Sequence, residues 1–127
     1  MIDPRLSSAL ANRYRLTREL GADSMATVYL AEDLRHHRPV AVKVLRPALS
    51  ATLAPDRFLR AIATAAGLRH PNLVPLYDAG DAAGFLFAVT PVVKGESLRD
   101  RLARDGPLPI ADALRFADEM ANVLSYA

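Results

Sequence analysis

One lysine carries the clearest chemical signal in this sequence. Lys43 lies in the run PVAVKVL (residues 39–45), where every residue within two positions of it is apolar. An ammonium group in such a strand costs solvation unless its head reaches water or an anion. Two readings fit: a lysine snorkelling from the open face of a sheet, or a cation placed for a bound anion. Earlier in the chain, Gly21 opens the segment GADSMATVYLA. A hairpin turn lying over a sheet that presents an ammonium would make a cover for phosphate. Other groups offer less. With no cysteine, the chain has no thiol catalysis, disulfide framework or Cys-based zinc site. His36 and His37 are adjacent, and neighbours on an extended strand point to opposite faces, so they read as solvated turn residues rather than a metal pair.

The elements that must position Lys43 follow from pattern. Residues 14–20, 27–31 and 39–45 read as strands, separated by the polar, turn-like stretches GADSMA and EDLRHHR. They form three antiparallel strands in sequence order. A short helix after Pro4 places Leu6 and Leu10 on one side, and residues 47–53 fit a single helical turn. Pro55 suits a first helical position, with Asp56 at the positive dipole end. Phe58, Leu59, Ile62, Ala65 and Ala66 recur at three- and four-residue steps, which predicts an amphipathic helix to about residue 68. Residues 73–77 and 85–89 read as two further strands joined by DAGDAAG. Ser97 caps a helix to about residue 104, Gly106-Pro107 breaks it, and residues 110–126 form a longer one. This is an α+β order.

Composition excludes several classes. The 127 residues suffice for one domain, and a hydrophobic share of 51% argues against disorder. A net charge of +2, with arginines spread along the chain, shows no phosphate-backbone footprint, so nucleic acid is not expected as a partner. No stretch approaches the roughly 18–20 apolar residues that span a bilayer. The opening MIDPRLSSALANRYR lacks the apolar core of a secretory signal, so a cytoplasmic location is expected.

Taken together, the sequence resembles the protein-kinase fold: the amino-terminal lobe of a bacterial eukaryotic-like (Hanks-type) serine/threonine kinase, with the first helices of the carboxy-terminal lobe. Gly21 and Val28 match the ends of the family's G-x-G-x-x-G-x-V loop, and Ala41-Val42-Lys43 its V-A-I-K strand. Arg69-His70-Pro71-Asn72-Leu73-Val74 resembles the H-P-N-[IL]-V segment after the regulatory helix, and Gly95, Ser97 and Leu98 the G-x-S-L after the hinge. Each piece alone is weak. The ordered set is specific. The resemblance implies a five-stranded antiparallel sheet with one regulatory helix, then two helices of the second lobe. It divides the chain into an extension (residues 1–12), a lobe with its hinge (13–94) and the start of the second lobe (95–127). It implies ATP as cofactor, with Leu20, Gly21, Val28 and Ala41 over the base and phosphates, Lys43 at the phosphates, Thr90 as gatekeeper and Val92 in the hinge.

The departures matter as much. The loop's second and third glycine positions hold Asp23 and Ala26. A carboxylate at the loop tip would repel phosphate unless a cation intervenes, although a plain polar turn residue explains Asp23 without any ligand. The Glu that pairs with the strand lysine would fall at Ala61, and no acidic residue occurs between Asp56 and Asp78. No H-R-D-x-x-x-x-N or D-F-G segment occurs in these residues, so no catalytic residue is assigned. Weak or absent ATP binding is expected, with Mg²⁺ held only if a complete second lobe is supplied. The chain alone is expected to be inactive. The alternative is a non-catalytic, pseudokinase-like interaction module. Self-association could run through the first lobe or through Phe116, Met120 and Leu124 of the last helix, which is apolar on more than one side.

Overall fold

The computed structural model describes residues 2–46 and 55–127. The helical turn expected at residues 47–53 lies outside the described residues. Five strands form one antiparallel sheet: β1 (Tyr14–Ala22), β2 (Ala26–Asp33), β3 (Arg38–Leu45), β4 (Asp78–Ala82) and β5 (Phe85–Pro91), in the order β1-β2-β3-β5-β4. Around it lie α1 (Pro4–Leu10) and α2 (Pro55–Ala66), and α3 (Leu98–Asp105) and α4 (Ile110–Tyr126) follow. The chain divides into two compact units, residues 1–67 with 74–92 and residues 68–73 with 93–127.

The first unit has its main core on one face of the sheet. Val40, Val42 and Val44 alternate along β3 with Ala41 and Lys43, and β-branched residues suit this pleat. Val40, Val42 and Val89 are completely buried, and with Val44, Phe87, Ala31 and Tyr14 they form the core. Leu6 and Leu10 of α1 close that core from the back. The helix begins where Asp3 accepts a hydrogen bond from the Arg5 N–H at 2.8 Å and Pro4 takes the first turn. It packs against β1 and β4, the two edge strands. Those edges are also tied directly. The Tyr14 hydroxyl donates to Asp78 Oδ2 at 2.8 Å, and Arg13 pairs with the same oxygen at 2.8 Å. Burial and the neighbouring Asp78 carboxylate push the Tyr14 phenol up to about 12.

Between β2 and β3, Asp33 organises the turn. Its Oδ1 accepts from the N–H groups of Arg35 and His36, and its Oδ2 from His36 Nδ1 at 2.9 Å. Burial works against the Asp33 carboxylate, but these bonds outweigh it and hold its pKa below the usual range. His37 completes the turn at φ 52°.

The fourth strand is not where the sequence pattern puts it. Residues 73–77 form no strand; β4 occupies Asp78–Ala82, inside the stretch read as a turn. The reason is local. Pro75 has no N–H to give, and the Leu73 N–H is spent on the His70 carbonyl at 3.0 Å. Pairing starts only where the Tyr77 N–H reaches the Val89 carbonyl. The turn is the two-residue Ala83-Gly84, at φ 51° and 87°, the left-handed pair that matches strand twist. Gly80 looked like a turn signal, yet it faces Phe87 across the ladder, and a Cβ there would lie 3.3 Å from the ring.

The second unit is helical. Ser97 Oγ accepts from the Asp100 N–H at the start of α3, and Gly106, at φ 75°, ends it. Arg101 bridges to Asp112 at 3.0 Å, joining α3 to α4. Residues 68–73 dock on the far end of α4: the Tyr126 hydroxyl accepts from the Arg69 N–H at 2.7 Å, and the His70 ring lies 5.5 Å from that of Tyr126.

Candidate functional site

The two faces of the sheet differ, and the difference locates the site. In an antiparallel ladder, residues directly opposite share a face. Gly21, Val28, Lys43 and Ala88 form one such row across β1, β2, β3 and β5. Leu30, Ala41 and Thr90 form the next row on that face. The opposite face is the buried core. This one is closed at Ala26 and Leu86, 2% and 1% exposed, and more open between them: Val28, Leu30, Ala41, Ala88 and Thr90 are half-buried and Lys43 is exposed. An apolar floor with one cation at its end suits a flat, partly apolar ligand that carries negative charge.

Of the residues singled out from sequence, Gly21, Val28, Ala41, Lys43 and Thr90 share these two rows. Leu20 is the extra residue of a β-bulge, since β1 advances from Glu19 to Gly21 while β2 moves one step from Tyr29 to Val28. It is 40% exposed at the margin. Val92 lies just past the end of β5 and is half-buried. Leu30 and Ala88 were not picked out from sequence. The period-two spacing from Val28 and Thr90 could have found both.

The β1–β2 turn is tight. The Asp23 N–H donates to the Ala26 carbonyl at 3.0 Å. Asp23 Oδ1 accepts from both the Met25 and the Ala26 N–H groups, each at 2.8 Å. The side chain therefore folds back onto its own loop. Arg46, at the end of β3, fastens the turn from outside: its Nε donates to the Asp23 carbonyl at 2.7 Å and its N–H to the Met25 carbonyl at 2.9 Å. No sequence pattern pointed to Arg46. Ala26 shares the face of Val28 and Leu30 and is 2% exposed, so its methyl is covered.

Lys43 has no carboxylate partner among the described residues. Ala61 is exposed on α2, whose single acidic residue is Asp56 in its first turn. The described residues also contain no cluster of three His, Asp or Glu side chains able to hold a metal ion. Among the described residues this face offers apolar cover and one ammonium, the chemistry that a base and its phosphates would need. These residues do not fit a divalent cation.

Comparison with known proteins identifies the family and the fold. The profile of the protein kinase domain family matches residues 14–127. The chain belongs to the protein kinase domain family. Among its relatives is the serine/threonine-protein kinase PknB of Mycobacterium leprae, 42% identical over 127 residues, which cover 93% of this chain and 20% of that protein. The serine/threonine-protein kinase PrkC of Bacillus subtilis is 33% identical, over 96% of this chain and 19% of its own length. This chain thus spans about a fifth of the curated relatives it matches. A crystal structure of a single-site mutant of the PknI kinase domain of Mycobacterium tuberculosis superposes with a TM-score of 0.81 at 32% identity, over 89% of this chain and 47% of that one. The fold is the kinase amino-terminal lobe with its five-stranded antiparallel sheet, followed by the first helices of the second lobe. No helix among the described residues is long and apolar enough to cross a membrane.

Proposed function

We propose that this chain is the nucleotide-facing lobe of a serine/threonine protein kinase, that it holds ATP weakly, and that these 127 residues transfer no phosphoryl group unaided. The observation that carries the reading is the row Gly21–Val28–Lys43, which leaves one ammonium exposed beside half-buried apolar residues on the face opposite the core. Leu20, Val28 and Ala41 supply apolar cover for the base, Thr90 and Val92 border it, and Lys43 meets the phosphates. ATP supplies the phosphoryl group. These residues contain no His-Arg-Asp run to take the proton from a substrate hydroxyl, since none of His36, His37 and His70 precedes Arg-Asp. Mg²⁺ would need ligands from a complete second lobe. In a longer protein of this family the activity would be ATP-dependent phosphorylation of Ser and Thr hydroxyls, in the cytoplasm where ATP is available.

Thermal melting with Mg-ATP tests the reading. A tight site at ~100 times its dissociation constant would add about 2.7 kcal/mol. The expected gain is far smaller, dose-dependent, and abolished by Lys43→Ala. A shift that survives Lys43→Ala would remove the lysine from the site and sink the proposal.

A second reading, a non-catalytic interaction module, is favoured by the missing carboxylate opposite Lys43 and by the exposed Ile110, Leu114, Met120 and Leu124 of α4. Under it, copies associate through α4. The sheet back offers less, because Leu6 and Leu10 of α1 already cover it. Phe116 is half-covered, with Arg101 and Arg115 near its ring, so Met120 and Leu124 carry more of the contact.

A further inference from the structure

We propose that Asp23 is a built-in competitor for nucleotide phosphate: its carboxylate fills, from within the chain, the amide cradle of the β1–β2 turn. The inference rests on the nucleotide reading above and explains why that site would be weak. Successive backbone N–H groups in a turn form a concavity that binds anions. Here the Met25 and Ala26 N–H groups converge on one oxygen, Asp23 Oδ1, at 2.8 Å each. A carboxylate oxygen has the charge sign and the acceptor geometry of a phosphate oxygen, and its bonds to N–H are of the strong, charge-assisted kind. Being tethered to the same turn, it is present at high effective concentration.

The rest of the turn holds this arrangement in place. The Asp23 N–H closes onto the Ala26 carbonyl, and Arg46 clips the carbonyls of Asp23 and Met25. An incoming phosphate must therefore displace a carboxylate that is already seated, and then lie beside it. A glycine at position 23 would leave both amides open.

The test is ATP affinity, measured by calorimetry with Mg²⁺, for the wild-type chain and three variants. Asp23→Gly opens the cradle. Asp23→Asn removes the charge but keeps an acceptor over both amides. Asp23→Gly with Lys43→Ala reports whether any gain uses the same site. The expected result is at least tenfold tighter binding in Asp23→Gly, a clearly smaller gain in Asp23→Asn, and loss of the gain in the double variant. Equal gains in the Gly and Asn variants would mean that charge alone matters, and would overturn amide occupancy. No gain in Asp23→Gly, with binding still dependent on Lys43, would overturn this inference and leave the nucleotide reading standing. Absence of ATP binding in every variant would remove both. Hydrogen exchange gives a check independent of nucleotide: the Met25 and Ala26 amides should exchange slowly in the wild type and fast in Asp23→Gly. Fast exchange in the wild type would also overturn the inference.

Discussion

Tyr14 shows how much one side chain contributes here. It is buried at the start of β1, and its hydroxyl reaches across to Asp78 on the opposite edge strand. Tyr14→Phe keeps the ring and loses that bond, so chemical denaturation should show a loss of about 1–2 kcal/mol. The pH dependence has a definite sign. The phenol titrates near 12 in the fold, above its ordinary value of 10.0, so the folded chain holds this proton more tightly than the unfolded one. Its contribution is complete below pH 10 and falls away as pH rises through about 12. Denaturation midpoints from pH 9 to 12 should slope less steeply in Tyr14→Phe than in the wild type. Equal slopes would show that other groups account for the alkaline loss. At this scale Lys43 was legible in the sequence, because an ammonium in an apolar run is conspicuous. The inward fold of Asp23 was not, since a polar turn residue looks the same whether it faces solvent or its own amides.

At the scale of elements, the first three strands could be read from alternation, and their order in the sheet followed from short turns. β4 could not. Its residues, Asp-Ala-Gly-Asp-Ala, carry almost no strand propensity, and they pair because β5 offers an edge and Phe87 needs the space that Gly80 leaves. The short helix α1 was visible in the sequence, but its task was not. It spans the back of the sheet from one edge strand to the other, covering a core that would otherwise meet water. Leu6→Ala should therefore cost about 2–3 kcal/mol, as deletion of a buried side chain does, and exposed-hydrophobe dye should bind to the variant. A change below 0.5 kcal/mol would show that α1 is dispensable to the core.

At the scale of the whole molecule, α4 presents large apolar side chains to solvent: Ile110 is 79% exposed and Leu124 73%. Free chains of this length should associate through that face. Sedimentation across a concentration series should show dimers or larger species in the wild type, shifted toward monomer by Met120→Gln with Leu124→Gln. A wild type that stays monomeric at high concentration would contradict the expectation. The apolar surplus of this helix was plain in the sequence, whereas the docking of residues 68–73 on Tyr126 was not, because it joins positions far apart in the chain.

That docking has a practical consequence. The polypeptide passes from one compact unit to the other after residues 67, 73 and 92. No single break in the gene can release either part whole. A fragment stopped at residue 92 keeps Arg69 and His70 but loses Tyr126, their anchor, and one begun at residue 93 keeps the anchor with nothing to hold. Anyone dividing this protein into pieces would have to carry six residues across the cut.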